Sequence, residues 1–373
     1  MRLLCYVASE ITSNRTCTLE PIKCFKTMLL VDSAVFTLPF LVGLAAGLVR
    51  TGWESALLPS AGLAFRHGVL LAIALCALAN AEAPPRRGVL YVLRTLALAL
   101  CCGWMIASPF ARESFALLLV ASLLLLASNI ASARQRPPMA GLYRIAGSAF
   151  FVVGNGLLFP DMPSHVVVSW WLGAVLFYVL GLHMEKGTLR PGESERPMLY
   201  ALIALALGGA VLKNYALGAE FLDPYSVTPL LLWGGDRLIG LVLCTAALWL
   251  LVRDASDGWQ RLCALGGSLF LAAAGGLALY TGQILAGPLY EAIIHAFFVG
   301  FAVSLLLALF HLNSYLALGS LLALYLGLLA WIVGALSDAS AIADAGSAVV
   351  TLCLVVLAAL CVRAYRQTAR FAH

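Results

Sequence analysis

The sequence predicts an all-α polytopic membrane protein, a helical bundle of about 12 transmembrane helices with both termini cytoplasmic. Three observations predict it. First, 62% of the 373 residues are hydrophobic, 11% are charged and the mean hydropathy is +0.96, whereas a soluble domain carries about 25% charged residues. Second, the apolar residues fall in successive runs of ~20, the length a helix needs to cross a bilayer. Third, Lys and Arg segregate to alternate breaks between those runs, as the positive-inside rule requires.

The segment 1–28 is short and polar, and its apolar run from Leu3 to Ala8 is too short for the core of a signal peptide. Met28 directly precedes the first span and is expected to be the natural start, with residues 1–27 an over-long reading; peptides from 1–27 in the purified protein would end that expectation. Spans follow at 29–49, 63–82, 88–108, 114–133, 141–160, 164–183, 198–217, 227–252, 261–285, 289–311, 314–335 and 345–364. They form one membrane domain over 29–364, and a basic cytoplasmic tail closes the chain at 365–373. The breaks carry Pro, Gly and charge, as at Ala83-Pro84-Pro85-Arg86-Arg87, Arg134-Gln135-Arg136-Pro137-Pro138 and Lys186 to Pro197.

Sixteen basic residues fall on one side: Arg2, Arg15, Lys23, Lys26, Arg86, Arg87, Arg134, Arg136, Lys186, Arg190, Arg196, Arg253, Arg261, Arg363, Arg366 and Arg370. Three fall on the other: Arg50, Arg66 and Arg112. The richer side is cytoplasmic, and an even number of spans agrees with both ends lying there. The net charge of +5 comes from these flanking positions and is no nucleic-acid signal. Most of the ten cysteines lie in apolar runs, where cysteine behaves as a small hydrophobe; no CxxC pair and no finger spacing occurs.

Ionisable groups inside spans need a partner or a task, because each costs at least about 2.5–3.5 kcal/mol at the bilayer centre on insertion scales. The candidates are His67, Arg94, Arg144, His183, Lys213, Asp236, Arg237, Glu291, His295 and His311. By the predicted topology His67, Lys213, Asp236, Arg237, Glu291 and His295 lie in the outer half, where His165 also begins its span. His165, His183 and His311 sit at interfaces, where a histidine reaches water. Asp236 and Arg237 are suited to neutralise each other or a neighbouring span, and Arg94 and Arg144 to snorkel towards the cytoplasmic face. Glu291 and His295 are four apart and share a helix face.

His67 and His295 stand out. Each precedes a small residue, Gly68 or Ala296, that leaves room for a bulky group to approach the helix. Two imidazoles at matched depth on different spans suit the two sides of a flat metal cofactor, since neutral imidazole is the usual haem-iron ligand.

Several segments resemble the NnrS-like group of multi-span bacterial proteins and, more distantly, the catalytic subunit of haem–copper oxidases. They are Gly43 to Trp53 (GLAAGLVRTGW), His67 to Glu82, Trp170 to Glu185 (WWLGAVLFYVLGLHME), Ala247 to Asp254 (ALWLLVRD) and Tyr290 to Ser304 (YEAIIHAFFVGFAVS). The resemblance implies a bacterial cytoplasmic (inner) membrane protein containing haem and linked to nitric-oxide and denitrification physiology. It makes His67 and His295 the axial ligands of one b-type haem, with Glu291, Lys213, Asp236 and Arg237 as supporting or propionate partners.

The departures matter as much. Span seven carries no histidine, and span six has only His165 at its mouth. The position for a second histidine on span ten looks like Leu309, with His311 displaced by two, and the acid-and-arginine end of span six appears as Leu182, His183 and Glu185. A binuclear oxygen- or NO-reducing centre is therefore not expected, nor is enzyme activity.

Two other classes compete. A cofactor-free secondary transporter would use Asp236, Arg237, Lys213 and Glu291 as its site, with Gly208-Gly209, Gly234-Gly235, Gly266-Gly267 and Gly275-Gly276 marking broken or tightly packed helices. A scaffold subunit would show large charged loops or tails, and none is present. The partners expected are the lipid bilayer and haem, with no nucleic acid.

Overall fold

A computed structural model describes residues 115–371, apart from 159–163, 223–228, 254–257, 283, 285–286, 311 and 313. His67, Arg94, His311, the N-terminal segment and the spans expected at 29–49, 63–82 and 88–108 lie outside the described residues.

The described residues are helical, with no strand among them. Nine long helices follow one another: α1 (Phe115–Ser132), α2 (Pro138–Leu158), α3 (Ser164–Glu185), α4 (Arg196–Leu222), α5 (Pro229–Arg253), α6 (Trp259–Thr281), α7 (Pro288–Ala308), α8 (Tyr315–Leu336) and α9 (Ser340–Phe371). Eight are long and apolar enough to cross a membrane. The exception is α2, whose apolar run is diluted by Arg144, Ser148, Asn155 and its glycines. Each helix overlaps one expected span, and α9 continues through the expected tail to Phe371.

Sequence neighbours pack in antiparallel pairs, and α7 sits inside, against α3, α6 and α8. A helix apolar on all sides belongs in an interior, and every residue of α3 from 167 to 184 is buried. The outer helices expose rows of large apolar side chains, among them Leu248, Leu269, Leu326 and Leu352. The fold thus covers its backbone with helix and turns apolar side chains outward, as a bilayer requires.

Paired glycines mark close crossings, not breaks, because α4, α5 and α6 run unbroken through them. A Cβ on Gly209 would lie 2.9 Å from the Gly235 carbonyl oxygen, and one on Gly240 would lie 2.8 Å from that of Gly275. Small residues let membrane helices approach this closely. Among the described residues the interrupted helix is α7, which changes from α to π winding over Ala296–Val303 and returns to α at Ser304.

Candidate functional site

Polar chemistry gathers at the two ends of the bundle. The basic end joins α1, α2 and α3. Arg144, with no exposed surface, donates to Glu185 Oε2 at 2.5 Å and to the Tyr178 hydroxyl at 2.7 Å, and its guanidinium lies 4.6 Å from the Tyr178 ring centre. Arg136 reaches the same carboxylate at 3.3 Å and donates to Asn129, which bonds Ser148. Arg144 therefore does not snorkel to water; a carboxylate from the next helix neutralises it inside the protein. Lys186 lies beside this cluster, and its ammonium is pushed below the usual range by desolvation, with Glu185 opposing and Arg144 reinforcing the shift.

His183 corrects a second expectation, because it is buried. Its Nε2 is 2.9 Å from the Leu305 carbonyl oxygen and its Nδ1 is 2.9 Å from the Thr188 hydroxyl. The last carbonyls of a helix have no partner within it. At the end of α7, His183 takes that of Leu305 and the Trp259 indole N–H takes that of Leu307 at 3.0 Å. His165 lies in the first turn of α3.

The opposite end holds the other candidates. Lys213 on α4 and Asp236 on α5 form an ion pair at 2.9 Å, and neither side chain has exposed surface. The Gly209–Gly235 crossing, one turn or less away from each, brings the two helices close enough for this. Asp236 is thus neutralised by a neighbouring helix and not by Arg237, which is exposed and lies alongside Gly282, where a Cβ would come within 3.0 Å of its Nε. Lys213 also donates to the Ile284 carbonyl at 3.0 Å, and Asp236 Oδ2 accepts the Ile284 N–H at 2.7 Å. The pair thereby satisfies both backbone groups of a buried, non-helical residue between α6 and α7. Glycines flank that residue in left-handed backbone, Gly282 at φ +63° closing α6 and Gly287 at φ +138° before Pro288.

Pro288 opens α7 at a position that needs no N–H, and Glu291 sits in its first turn, where the helix dipole favours a carboxylate. One turn on, His295 Nδ1 lies 2.9 Å from the Glu291 carbonyl oxygen and 3.6 Å from its carboxylate. A carbonyl only accepts, so Nδ1 carries the proton and, in the neutral ring, Nε2 holds the lone pair. The imidazole lies against Trp331 of α8 with ring centroids 3.8 Å apart and planes 36° apart. The π segment begins at the next residue; such windings are rare and frequent at functional sites.

Lys213 with Asp236, and Glu291 with His295, therefore form two pairs, and Arg237 lies exposed beside Gly282. His67 lies outside the described residues, and no group of three or more His, Cys, Asp or Glu able to hold a metal occurs among those described. Trp331, Ile284 and the π winding escaped sequence reasoning. Trp331 lies in an unbroken apolar run, and backbone hydrogen-bond register leaves no compositional trace.

These features define a class, an all-helical protein with membrane-type helices and charged residues paired in its interior. The chain matches, over residues 28–366, the model of a family described as a domain of unknown function, DUF8744, and belongs to that family. No curated protein matches it.

Proposed function

We propose that this protein is a twelve-span membrane protein of NnrS-like type, with both termini cytoplasmic in a bacterial inner membrane, that binds one b-type haem between His67 and His295. The observation that carries this reading is the His295 ring. Its Nδ1–H is committed to the Glu291 carbonyl, the arrangement that orients ligating histidines and presents Nε2 to a metal. In this respect His295 suits a haem iron, and the Trp331 indole backs the ring on one side. Lys213 and Asp236 fit a propionate role less well, since they hold each other and Ile284. Arg237, exposed beside Gly282, is the cation suited to a propionate.

Bound there, haem supplies one-electron transfer or gas coordination, in keeping with a part in electron transfer or the response to nitric oxide. The chain's own residues orient the ligand nitrogen, fix its tautomer and neutralise the acidic periphery. A visible spectrum of the detergent-purified protein, produced with ample haem and recorded with and without dithionite, tests the reading. A haem band that sharpens on reduction supports it, and a colourless protein overturns it.

A second reading, a proton-coupled secondary transporter, is favoured by the fully buried Lys213–Asp236 pair, since ionisable groups at membrane depth commonly mark ion and proton paths. Uptake into proteoliposomes that follows a proton gradient and fails in Asp236→Asn would favour it over haem binding.

A further inference from the structure

We infer that Lys213 and Asp236 are positioning residues for His295, acting through the backbone of Ile284 and the first turn of α7. This rests on the proposed haem reading for its functional meaning, though the geometry stands without it.

The contacts fall at the two ends of a short stretch of chain, at Ile284 and at the start of α7. The Gly209–Gly235 crossing fixes α4 against α5 and sets Lys213 beside Asp236. Together the two side chains grip Ile284 by its N–H and its C=O. Three residues separate Ile284 from Pro288, where α7 begins. The Glu291 N–H bonds the Gly287 carbonyl at 3.1 Å, and the Glu291 carbonyl accepts from His295 Nδ1. The start of α7, which carries the imidazole to Trp331, is thus tied to α4 and α5 through Ile284, in addition to the packing of α7 on α3, α6 and α8.

An ion pair suits this task better than an apolar pair. Burying two charges is costly, and well-packed hydrophobic residues often replace such a pair with no loss of stability. Apolar side chains, however, leave both backbone groups of Ile284 without partners, and backbone polar groups at membrane depth must be satisfied within the protein. The carboxylate takes the N–H while the ammonium takes the carbonyl. Only side chains that accept and donate at that spot hold the connection in one place.

The test uses the full-length protein in detergent without added haem, so that it does not depend on cofactor binding. Histidine carrying 13C at Cε1 reports each ring by NMR, and His295→Gln identifies the His295 signal. In the native protein the Trp331 ring current displaces that signal. The double variant Lys213→Met/Asp236→Leu is expected to move it towards the position of a solvent-exposed histidine with helix content unchanged, whereas Lys213→Arg stays close to native. A second variant inserts two glycines between Gly287 and Pro288, leaving the pair intact but uncoupling it from α7. It is expected to move the signal in the same way, and it decides the matter should the double variant lose helix content. A His295 signal that stays in place in the folded double variant, or in the insertion variant, overturns the inference. Failure of the native protein to take up haem would instead overturn the proposed function and leave this result standing.

Discussion

His295 and Trp331 lie ring on ring, 3.8 Å between centroids, although they belong to different helices and 36 positions separate them. The indole is buried and forms a flat wall that fixes one side of the imidazole. Trp331→Leu removes that wall, and aromatic pairs contribute about 0.5–1.5 kcal/mol beyond the area they bury. The expected outcome is a folded protein with weaker haem retention and a shifted haem band, read by absorption during gel filtration. Trp331→Phe should keep most of the native behaviour.

Lys213→Met alone leaves the Asp236 carboxylate buried without its cation. Breaking one side of a buried pair costs roughly 3–5 kcal/mol, so thermal unfolding in detergent should begin well below that of the native protein. Lys213→Met/Asp236→Leu should recover part of that loss, because it removes the stranded charge but still leaves the Ile284 N–H and carbonyl without partners. A double variant no more stable than Lys213→Met would mean that the Ile284 hydrogen bonds, and not the stranded charge, carry the cost.

The cluster at the basic end predicts a packing effect. A Cβ at Gly181 would stand 2.7 Å from Arg144 Cγ and 3.1 Å from the Ala140 carbonyl oxygen. Gly181→Ala should destabilise by about 1–3 kcal/mol, the usual cost of overpacking, and Arg144→Leu should also destabilise, leaving Glu185 to Arg136 alone. Both are checked by the melting temperature; an unchanged value for Gly181→Ala would mean that α2 and α3 are not this close.

His183→Ala uncovers the Leu305 carbonyl in the interior, and an unsatisfied buried acceptor costs about 1–3 kcal/mol. His183→Gln, whose amide N–H still donates, should lose less. Thermal unfolding of the two variants side by side checks the order.

Helix positions were legible in the sequence because apolar runs of membrane length are bounded by charge and by Pro or Gly. Pairing across helices was not legible. Arg144 and Glu185 are separated by 41 positions, and nothing local marks them as partners, so lipid-facing snorkelling was the natural expectation for Arg144. For Asp236 the sequence left open Arg237 beside it or a neighbouring span, and did not single out Lys213. On a helix, adjacent residues point in different directions, and the partner came from α4 instead. His183 looked like an interfacial group because its position is terminal, yet the end of α7 lies over it. The shared helix face of Glu291 and His295 was legible from their spacing of four, whereas the Lys213–Asp236 pair depends on how α4 packs on α5.

The central claim is that His67 and His295 hold one haem. The most direct test is the reduced-minus-oxidised spectrum, with haem content per polypeptide, of the native protein and of His67→Ala and His295→Ala purified in parallel. The account predicts one haem in the native protein and a lowered content with an altered band in each variant. Native-like spectra and haem content in both variants would contradict it.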